Sequence, residues 1–236
     1  MPIYLLGEDP VFPPAEFATE TGIIAAGGDL SPHRLINAYA SGIFPWFSDG
    51  EPILWWSPDP RLVLFPGEIH VSRSMEKLLK KKTFQVTCDR RFGEVLKGCA
   101  APRKDHRGTW LTKEMSEAYL LLHEMGLAHS VEVWKAGPDS GSNRLVGGLY
   151  GISLGKCFFG ESMFYKVANA SKFGFITFAR KLFSQGFIML DCQVPTDHLK
   201  RLGAREIPRK EYLLHLRKGL AYETNLGKWE FLNEIA

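Results

Sequence analysis

Residues 128–194 alternate between strand-like and helix-like patterns, and this order constrains the fold more than any other feature of the sequence. Polar and apolar side chains first alternate as they do in a half-buried strand, and a turn rich in Gly and Ser follows. The predicted elements are strands at 129–134, 145–152 and 157–164, a helix at 171–185 and a strand at 188–194. Hairpins followed by a strand–helix–strand unit predict an α+β domain. Upstream, the same two periodicities predict helices at 74–82, 92–99 and 118–125 and a strand at 84–87.

The first sixty residues have a different character, because they are dense in Gly, Pro and aromatic residues. Ser31 followed by Pro32 predicts the start of a helix, and Gly42 predicts its end. Prolines at positions 58 and 60 then interrupt any regular element and predict a domain edge. The predicted domains are a small N-terminal α/β domain, 1–60, and a larger domain, 61–236.

Charge is distributed unevenly along a chain whose net charge is only +3. Residues 1–60 carry eight acidic side chains against one basic one, a balance of −7. Residues 72–107 carry eleven basic against four acidic side chains, or +7, and residues 200–218 carry seven against two, or +5. Two basic segments in a nearly neutral protein are consistent with a polyanion-binding surface, although solvated helix faces explain the same pattern.

Several classes of protein are excluded by what the sequence lacks. The N-terminus has neither the charged nor the apolar region of a signal peptide, and no apolar stretch approaches the ~18 residues that span a bilayer. The four cysteines are scattered without metal-ligand spacing. We therefore expect a cytoplasmic protein with no membrane association. Phosphate-binding loops, dinucleotide-binding glycine motifs, nucleophile elbows and zinc-binding helix motifs are also missing from the sequence.

Three polar residues in otherwise apolar strands are the best candidates for chemistry. Glu161 lies between Phe159-Gly160 and Met163-Phe164, and Asp191 follows Met189-Leu190 with Gln193 two positions later. An unpaired buried carboxylate is costly, so these acids either have partners in the core or face a pocket that receives a cation such as an amine. Because Asp191 and Gln193 are two residues apart, they are predicted to lie on one face of a strand.

Tryptophans in Gly- or Pro-flanked segments form a second group of candidates. Trp46, Trp55, Trp56 and Trp110 do not lie on periodic faces. Ordinary core packing accounts for most tryptophans, but one in a loop near a basic segment can stack on an unpaired base.

Taken in order, nine segments of the chain resemble one family of bacterial enzymes, the leucyl/phenylalanyl-tRNA–protein transferases. Each segment is short and only weakly specific by itself, whereas nine in the correct order are highly specific. The segments are Gly27–Pro32, Gly42–Phe47, Trp55–Arg61, Gly108–Trp110, His129–Trp134, Gly160–Phe164, Asn169–Lys172, Asp191–Gln193 and Leu202–Ala204.

The resemblance implies an enzyme that moves Leu or Phe from aminoacyl-tRNA to the N-terminal Arg or Lys of a protein. Because an apolar pocket discriminates by only ~1–3 kcal/mol per methylene, we also expect it to tolerate Met. The resemblance further implies that this transfer marks the acceptor for degradation through the N-degron pathway. For the fold, it implies a small N-terminal domain and a C-terminal domain like the GNAT acyltransferases. Since an aminoacyl ester is already activated, we expect no cofactor, no metal and no ATP. We also expect the protein to be a monomer.

Roles for individual residues also come from the resemblance. Trp46 and Trp110 match positions that hold the 3′-terminal adenosine of tRNA. The pocket for the Leu or Phe side chain is matched by Leu149, Phe158, Phe178 and Leu182. The positions that bind the acceptor and carry out catalysis are matched by Glu161, Asp191 and Gln193. Within that group we expect Asp191 to be the general base, Gln193 to orient the reactants and Glu161 to bind the acceptor's cationic side chain.

Two departures from the family pattern and two alternative functions remain at this point. Leu149 replaces a Met of some relatives, and Thr196 replaces an Asn, which leaves the role of position 196 open. One alternative is an acyl-CoA-dependent GNAT enzyme, but the nearest match to its phosphate-binding segment, residues 144–149, fails at its last position. The other is a non-catalytic tRNA-binding protein, which explains the basic segments but leaves the three polar strand residues unexplained.

Overall fold

The computed structural model describes residues 2–101, 111–137 and 142–230, which form two sheets and the helices around them. The N-terminal part contains β1 (Tyr4–Leu6), a 3-10 turn (Ala15–Phe17), β2 (Ile23–Gly27), α1 (Pro32–Ala40), β3 (Phe44–Pro45) and β4 (Leu54–Trp56). The middle of the chain contains β5 (Arg61–Leu64), α2 (Arg73–Lys80), β6 (Gln85–Cys88), α3 (Phe92–Ala100) and α4 (Lys113–Glu124). The remainder contains β7 (Ala128–Ala136), β8 (Asn143–Leu154), β9 (Cys157–Tyr165), α5 (Ala170–Ser184), β10 (Met189–Gln193), α6 (Asp197–Lys200), β11 (Arg205–Ile207) and α7 (Arg209–Leu220).

The larger sheet carries the elements that the periodicity predicts. Its strand order is β11-β5-β10-β9-β8-β7-β6, and its pairs are antiparallel except for β9 and β10. The parallel pair is connected through α5, so the predicted strand–helix–strand unit is confirmed, as are the hairpins before it. The structure therefore confirms the predicted α+β class.

Two apolar layers cover the two faces of this sheet. Side chains of α1, α3, α4 and α7 pack against one face, and side chains of α2 and α5 pack against the other. Successive residues of one strand contribute to opposite layers, as alternation requires: Leu149 belongs to the α5 side and Tyr150 to the α3 side.

The N-terminal part is built around its own sheet but shares a core with the rest of the chain. Its strands are ordered β1-β2-β4-β3. Helix α1 begins as predicted, since the Ser31 side chain accepts a hydrogen bond from the Arg34 amide and Pro32 occupies the first turn. One continuous cluster of buried residues joins Tyr39 and Trp55 to Tyr119 and Leu213. The edge near residue 60 stays a prediction, because apolar packing crosses it.

No helix among the described residues is long and apolar enough to cross a membrane.

Candidate active site

Two β-bulges on neighbouring strands position the polar residues of the site. In β9, Glu161 is the extra residue, because the residues on either side of it pair with consecutive residues of β8. In β10, Cys192 is skipped by the pairing with β5, and Gln193 beside it has a left-handed backbone with φ of 62°. Bulges re-aim side chains, and a left-handed non-glycine residue needs support from its surroundings. That support comes from the carboxylate of Asp191, which accepts a hydrogen bond of 2.8 Å from the Gln193 amide.

Asp191 forms a buried, bidentate ion pair with Arg61. The guanidinium Nε lies 2.9 Å from Oδ1 and an Nη lies 2.7 Å from Oδ2, and both side chains are essentially inaccessible to solvent. The Tyr212 hydroxyl donates a third hydrogen bond of 2.8 Å, to Oδ2. With the Gln193 amide, each carboxylate oxygen therefore accepts two hydrogen bonds. This geometry leaves no free lone pair for a substrate amine, so it does not fit the base role predicted for Asp191.

Arg61 is itself enclosed by aromatic rings and by the N-terminal part of the chain. Its guanidinium carbon lies 4.7 Å from the ring centroid of Phe44 and 4.6 Å from that of Tyr212. Burial alone lowers the pKa of the Arg61 guanidinium, but attraction to Asp191 raises this pKa above its ordinary value. The Gly42 carbonyl accepts another bond from Arg61, at 3.3 Å. A Cβ on Gly42 would lie 2.8 Å from Leu213, so the close approach of this turn requires glycine.

Glu161 is buried among hydroxyl and amide donors that come from three parts of the chain. Its Oε1 accepts from the Tyr39 hydroxyl at 2.8 Å and from the Gln193 side-chain amide at 2.7 Å. Its Oε2 accepts from the Tyr119 hydroxyl at 2.8 Å. Burial raises the pKa of Glu161 to about 7 although these hydrogen bonds act in the opposite direction.

The hydroxyl groups around Glu161 are arranged to accommodate a proton. The two tyrosine oxygens lie 2.9 Å apart, so Tyr39, Tyr119 and the two carboxyl oxygens form a ring with three short contacts. When Glu161 is ionised, the two hydroxyls supply only two hydrogens for these three contacts. A protonated Glu161 supplies the third, and each contact then contains one hydrogen. The carboxyl group can therefore take up and release a proton while the surrounding heavy atoms stay in place, because only one tyrosine hydroxyl hydrogen has to turn from the carboxylate to the other hydroxyl.

A cavity of about 1080 Å³ connects Glu161 with the predicted apolar pocket. Three of the four predicted pocket residues, Leu149, Phe158 and Phe178, line it together with Glu161 and Gln193. The structure thus brings an apolar wall and a buried carboxyl group into one cavity. Among the described residues, no group of three His, Cys, Asp or Glu side chains is placed to hold a metal ion. The expectation that no cofactor is needed stays a prediction.

The other predicted residues lie elsewhere. Leu182 is fully buried in α5 and is not part of the cavity wall. Trp46 lies outside the cavity on the N-terminal part, is 42% exposed, and contacts Trp56 at a ring-centroid distance of 5.3 Å. Trp110 lies outside the described residues. Thr196 lines the cavity and caps α6 by accepting a hydrogen bond from the Leu199 amide.

Sequence reasoning missed the partners that hold the three polar residues. Tyr39 and Tyr119 are 122 and 42 residues from Glu161 in the chain, and Arg61 is 130 residues from Asp191. One signal was present for Arg61: it opens an otherwise apolar run, Leu62–Leu64, and a buried acid requires a buried cation.

Comparison with known families identifies the family to which this chain belongs. A family model described as leucyl/phenylalanyl-tRNA protein transferase matches residues 63–217, and a model of the N-terminal domain of the same enzymes matches residues 28–59. The chain belongs to this family. The resemblance found in the nine sequence segments is thereby confirmed.

Individual leucyl/phenylalanyl-tRNA–protein transferases are similar over almost their whole length. The protein of Nitrosospira multiformis is 54% identical over 231 residues, which cover 97% of each chain. The protein of Syntrophus aciditrophicus is 55% identical over 237 residues, which cover 100% of this chain and 97% of that protein. Transfer of an aminoacyl group from tRNA to protein is therefore the activity of this chain, and the chain is an enzyme.

A comparison of structures adds no argument about the fold. The structure of L-PGS from Bacillus licheniformis aligns with 10% identity and a TM-score of 0.38, covering 70% of this chain and 53% of that one.

In this leucyl/phenylalanyl-tRNA–protein transferase family member, the raised pKa of Glu161 predicts how stability depends on pH. The folded-state pKa of about 7 lies above the usual 4.5, so the folded state binds the proton more tightly than the unfolded state does. The associated stability is complete below pH 4.5 and is lost as the pH rises through 7. Glu161→Gln has no charge to bury at any pH. Its free energy of unfolding, relative to that of the wild type, should therefore increase by on the order of 3 kcal/mol between pH 5 and pH 9. Urea unfolding of both proteins across this range measures the difference, and a constant difference contradicts the prediction.

Proposed function

We propose that this enzyme transfers Leu or Phe, and also Met, from aminoacyl-tRNA to the α-amino group of a protein that begins with Arg or Lys. The observation that carries the proposal is the cavity in which Leu149, Phe158 and Phe178 adjoin the buried carboxyl of Glu161. An apolar wall of this kind accepts an uncharged aliphatic or aromatic side chain. It distinguishes similar side chains by only ~1–3 kcal/mol per methylene, which allows more than one donor amino acid.

In this proposal Glu161 receives the acceptor's α-ammonium group and takes one of its protons. The pKa of Glu161, about 7, lies close to the ~7.7–8.0 of an α-amino group, so this transfer is nearly balanced in free energy. The neutral amine then attacks the ester carbon and forms the new C–N bond. When the bond between the carbonyl carbon and the tRNA 3′-oxygen breaks, the second proton leaves nitrogen for that oxygen. The first proton passes from Glu161 to solvent, which restores the enzyme.

Asp191 and Gln193 have supporting roles in this scheme. Asp191 holds the left-handed backbone of Gln193 through the Gln193 amide, and Arg61 and Tyr212 hold Asp191. The Gln193 side chain donates to Glu161 through Nε2, and its Oε1 accepts no hydrogen bond from the described residues. That oxygen is therefore free to orient the incoming amine. Alignment of two bound reactants lowers the barrier without a cofactor.

The proposal also covers the architecture of the chain and the roles of residues outside the cavity. The GNAT-like architecture is supported by a mainly antiparallel sheet with one parallel pair, β9 and β10, beside the cavity. A boundary near residue 60 is supported by the separate four-stranded sheet. Contacts of Trp46 and Trp110 with the terminal adenosine, and a role for Leu182 behind the pocket wall, are carried by the resemblance alone. Marking of acceptors for degradation and a cytoplasmic setting follow from the proposed reaction.

The basic segments are proposed to bind the phosphates of tRNA. Lys80, Lys81 and Lys82 are exposed at the end of α2, within the segment of charge +7. Replacing all three with Gln should reduce the slope of log K against log salt for tRNA binding, by about one for each lysine that contacts a phosphate. Filter binding or fluorescence anisotropy at several salt concentrations measures the slope. A triple Arg variant is the matched control and should keep it, whereas an unchanged slope in the Gln variant would assign the lysines to solvation.

The proposed function is tested by supplying labelled Phe-tRNA together with a peptide that begins with Arg. We expect label in the peptide, linked to its first residue, and none in a matched peptide whose N-terminus is acetylated. A peptide beginning with Ala tests the requirement for a cationic first residue. Absence of label from the Arg peptide, with intact protein and donor, would refute the proposal, and tight binding of acetyl-CoA would favour an acyl-CoA-dependent enzyme.

A further inference from the structure

One hydroxyl group in the cavity that contains Glu161 has no hydrogen-bond partner among the described residues. Tyr150 is fully buried in β8, and its hydroxyl oxygen is among the buried polar atoms that lack a partner. A buried polar group left unsatisfied costs roughly 1–3 kcal/mol. The hydroxyls of Tyr39 and Tyr119, which are equally buried, both bond to Glu161. Tyr150 is thus the exception in a cluster of otherwise satisfied groups.

The position of this hydroxyl places it beside the proposed reaction. The Tyr150 ring contacts the ring of Tyr119 at a centroid distance of 5.3 Å, and Tyr150 lines the same cavity as Glu161. Burial raises the pKa of Tyr150, and repulsion from Tyr119, Glu161 and Cys99 raises it further. The Tyr119 hydroxyl bonds to Glu161, so the ring contact places Tyr150 next to one of the groups that surround this carboxyl. Because its pKa lies above the ordinary value, the Tyr150 hydroxyl stays protonated at neutral pH. It can therefore both donate and accept a hydrogen bond.

An unpartnered hydroxyl alone does not indicate a ligand, as two serines show. The side-chain oxygens of Ser57 and Ser153 are also buried without partners, and neither residue lines the cavity. Tyr150 differs because it combines the unpartnered hydroxyl with the cavity and with Glu161. A phenylalanine would keep its ring contacts with Phe92 and Tyr119, so packing does not explain the hydroxyl.

We propose that the Tyr150 hydroxyl is a binding group for the acceptor's amino group. The inference rests on the proposed function and adds a residue to it. Once Glu161 has taken a proton, the amine retains two N–H bonds and a lone pair that must face the ester carbon. Two acceptors on residues that line the cavity are not engaged by the described residues and can take these N–H bonds, the Oε1 of Gln193 and the hydroxyl oxygen of Tyr150. Holding both N–H bonds fixes the direction of the lone pair.

The test is the variant Tyr150→Phe, assayed with Phe-tRNA and the Arg peptide. We expect kcat/KM for the peptide to fall by about tenfold to a hundredfold, and KM for Phe-tRNA to stay unchanged. The melting temperature should be unchanged or higher, because the variant removes an unsatisfied buried group. Ser153→Ala is the matched control, since it removes an unpartnered hydroxyl away from the cavity, and it should transfer at the wild-type rate.

Each other outcome has a distinct meaning. A wild-type enzyme that transfers nothing refutes the proposed function and not the inference in particular. Active wild type with an equally active Tyr150→Phe overturns the inference and leaves the function standing. A raised KM for Phe-tRNA alone assigns the hydroxyl to the donor, and a lower melting temperature assigns it to the core; either result overturns the inference.

Discussion

Replacing Arg61 with Met is expected to lower the free energy of unfolding by about 3–5 kcal/mol, because it leaves the carboxylate of Asp191 buried without its cation. Asp191 has no exposed surface, so water cannot take over the two hydrogen bonds that Arg61 donates. The loss is a large fraction of the ~5–15 kcal/mol that stabilises an ordinary domain. Urea unfolding monitored by tryptophan fluorescence measures it.

Two controls separate this effect from a general response to arginine loss. Arg217→Met breaks an exposed pair with Glu16, in which the charged atoms are 3.8 Å apart, and should change stability by less than about 0.5 kcal/mol. The double variant Arg61→Met with Asp191→Leu removes both buried charges and should recover part of the loss. A loss below about 1 kcal/mol in Arg61→Met alone would contradict the assignment of a buried ion pair.

Glu161→Gln is expected to reduce kcat/KM for transfer by about 10²- to 10⁴-fold, the contribution of a general base. Binding of tRNA should be unchanged, because Glu161 lies among tyrosines and an amide inside the chain. Glu206→Gln, at an exposed position paired with Lys200, is the matched control and should retain full activity. Equal losses in transfer and in tRNA binding would make Glu161 a donor-binding residue.

The pH profile distinguishes Glu161 from Asp191 as the base. In the proposed scheme the productive pair is ionised Glu161 with a protonated acceptor. The wild-type kcat/KM for the acceptor should therefore rise as the pH passes about 7 and fall as the acceptor's amine loses its proton. Glu161→Gln should lack this bell shape and show only a rise with the amine's own pKa. Asp191→Asn should keep the bell shape at a lower maximum, and loss of the bell in that variant instead would return the base role to Asp191.

The pattern of the sequence predicts most strands of the larger sheet but misses β5 and β11, which lie together on one side of it. Strands β7, β8 and β9 and helix α5 have clear periodicity, and their local preference agrees with their place in the core. Strand β5 is buried along its whole length and begins with Arg61, so it lacks the alternation of a half-buried strand, and only three apolar residues follow the arginine within it. The sequence of helix α7 indicates only a basic segment, because its charged residues obscure the buried face formed by Tyr212, Leu213 and Leu216.

For the site, the sequence identifies the residues whose burial is expensive but not the groups that offset the cost. Glu161, Asp191 and Gln193 stand out because each is polar in an apolar strand, and the structure brings all three together. Which of the two acids is saturated depends on partners more than 100 residues away, Arg61 and Tyr39. Periodicity carries no information about such contacts, so the sequence does not show which of the two acids is saturated with hydrogen bonds.

The shared core has a consequence for how such an enzyme can vary. Tyr39, Gly42 and Phe44 all precede residue 60, yet each contacts a group of the site that lies beyond it. The small and large parts are therefore not interchangeable modules, since neither contains all the groups that surround Glu161 and Arg61. A hybrid of two relatives joined near residue 60 would be active only if its N-terminal part carries residues at these three positions that fit the contacts of its C-terminal part. Substitutions on the two sides of that junction are expected to be inherited together.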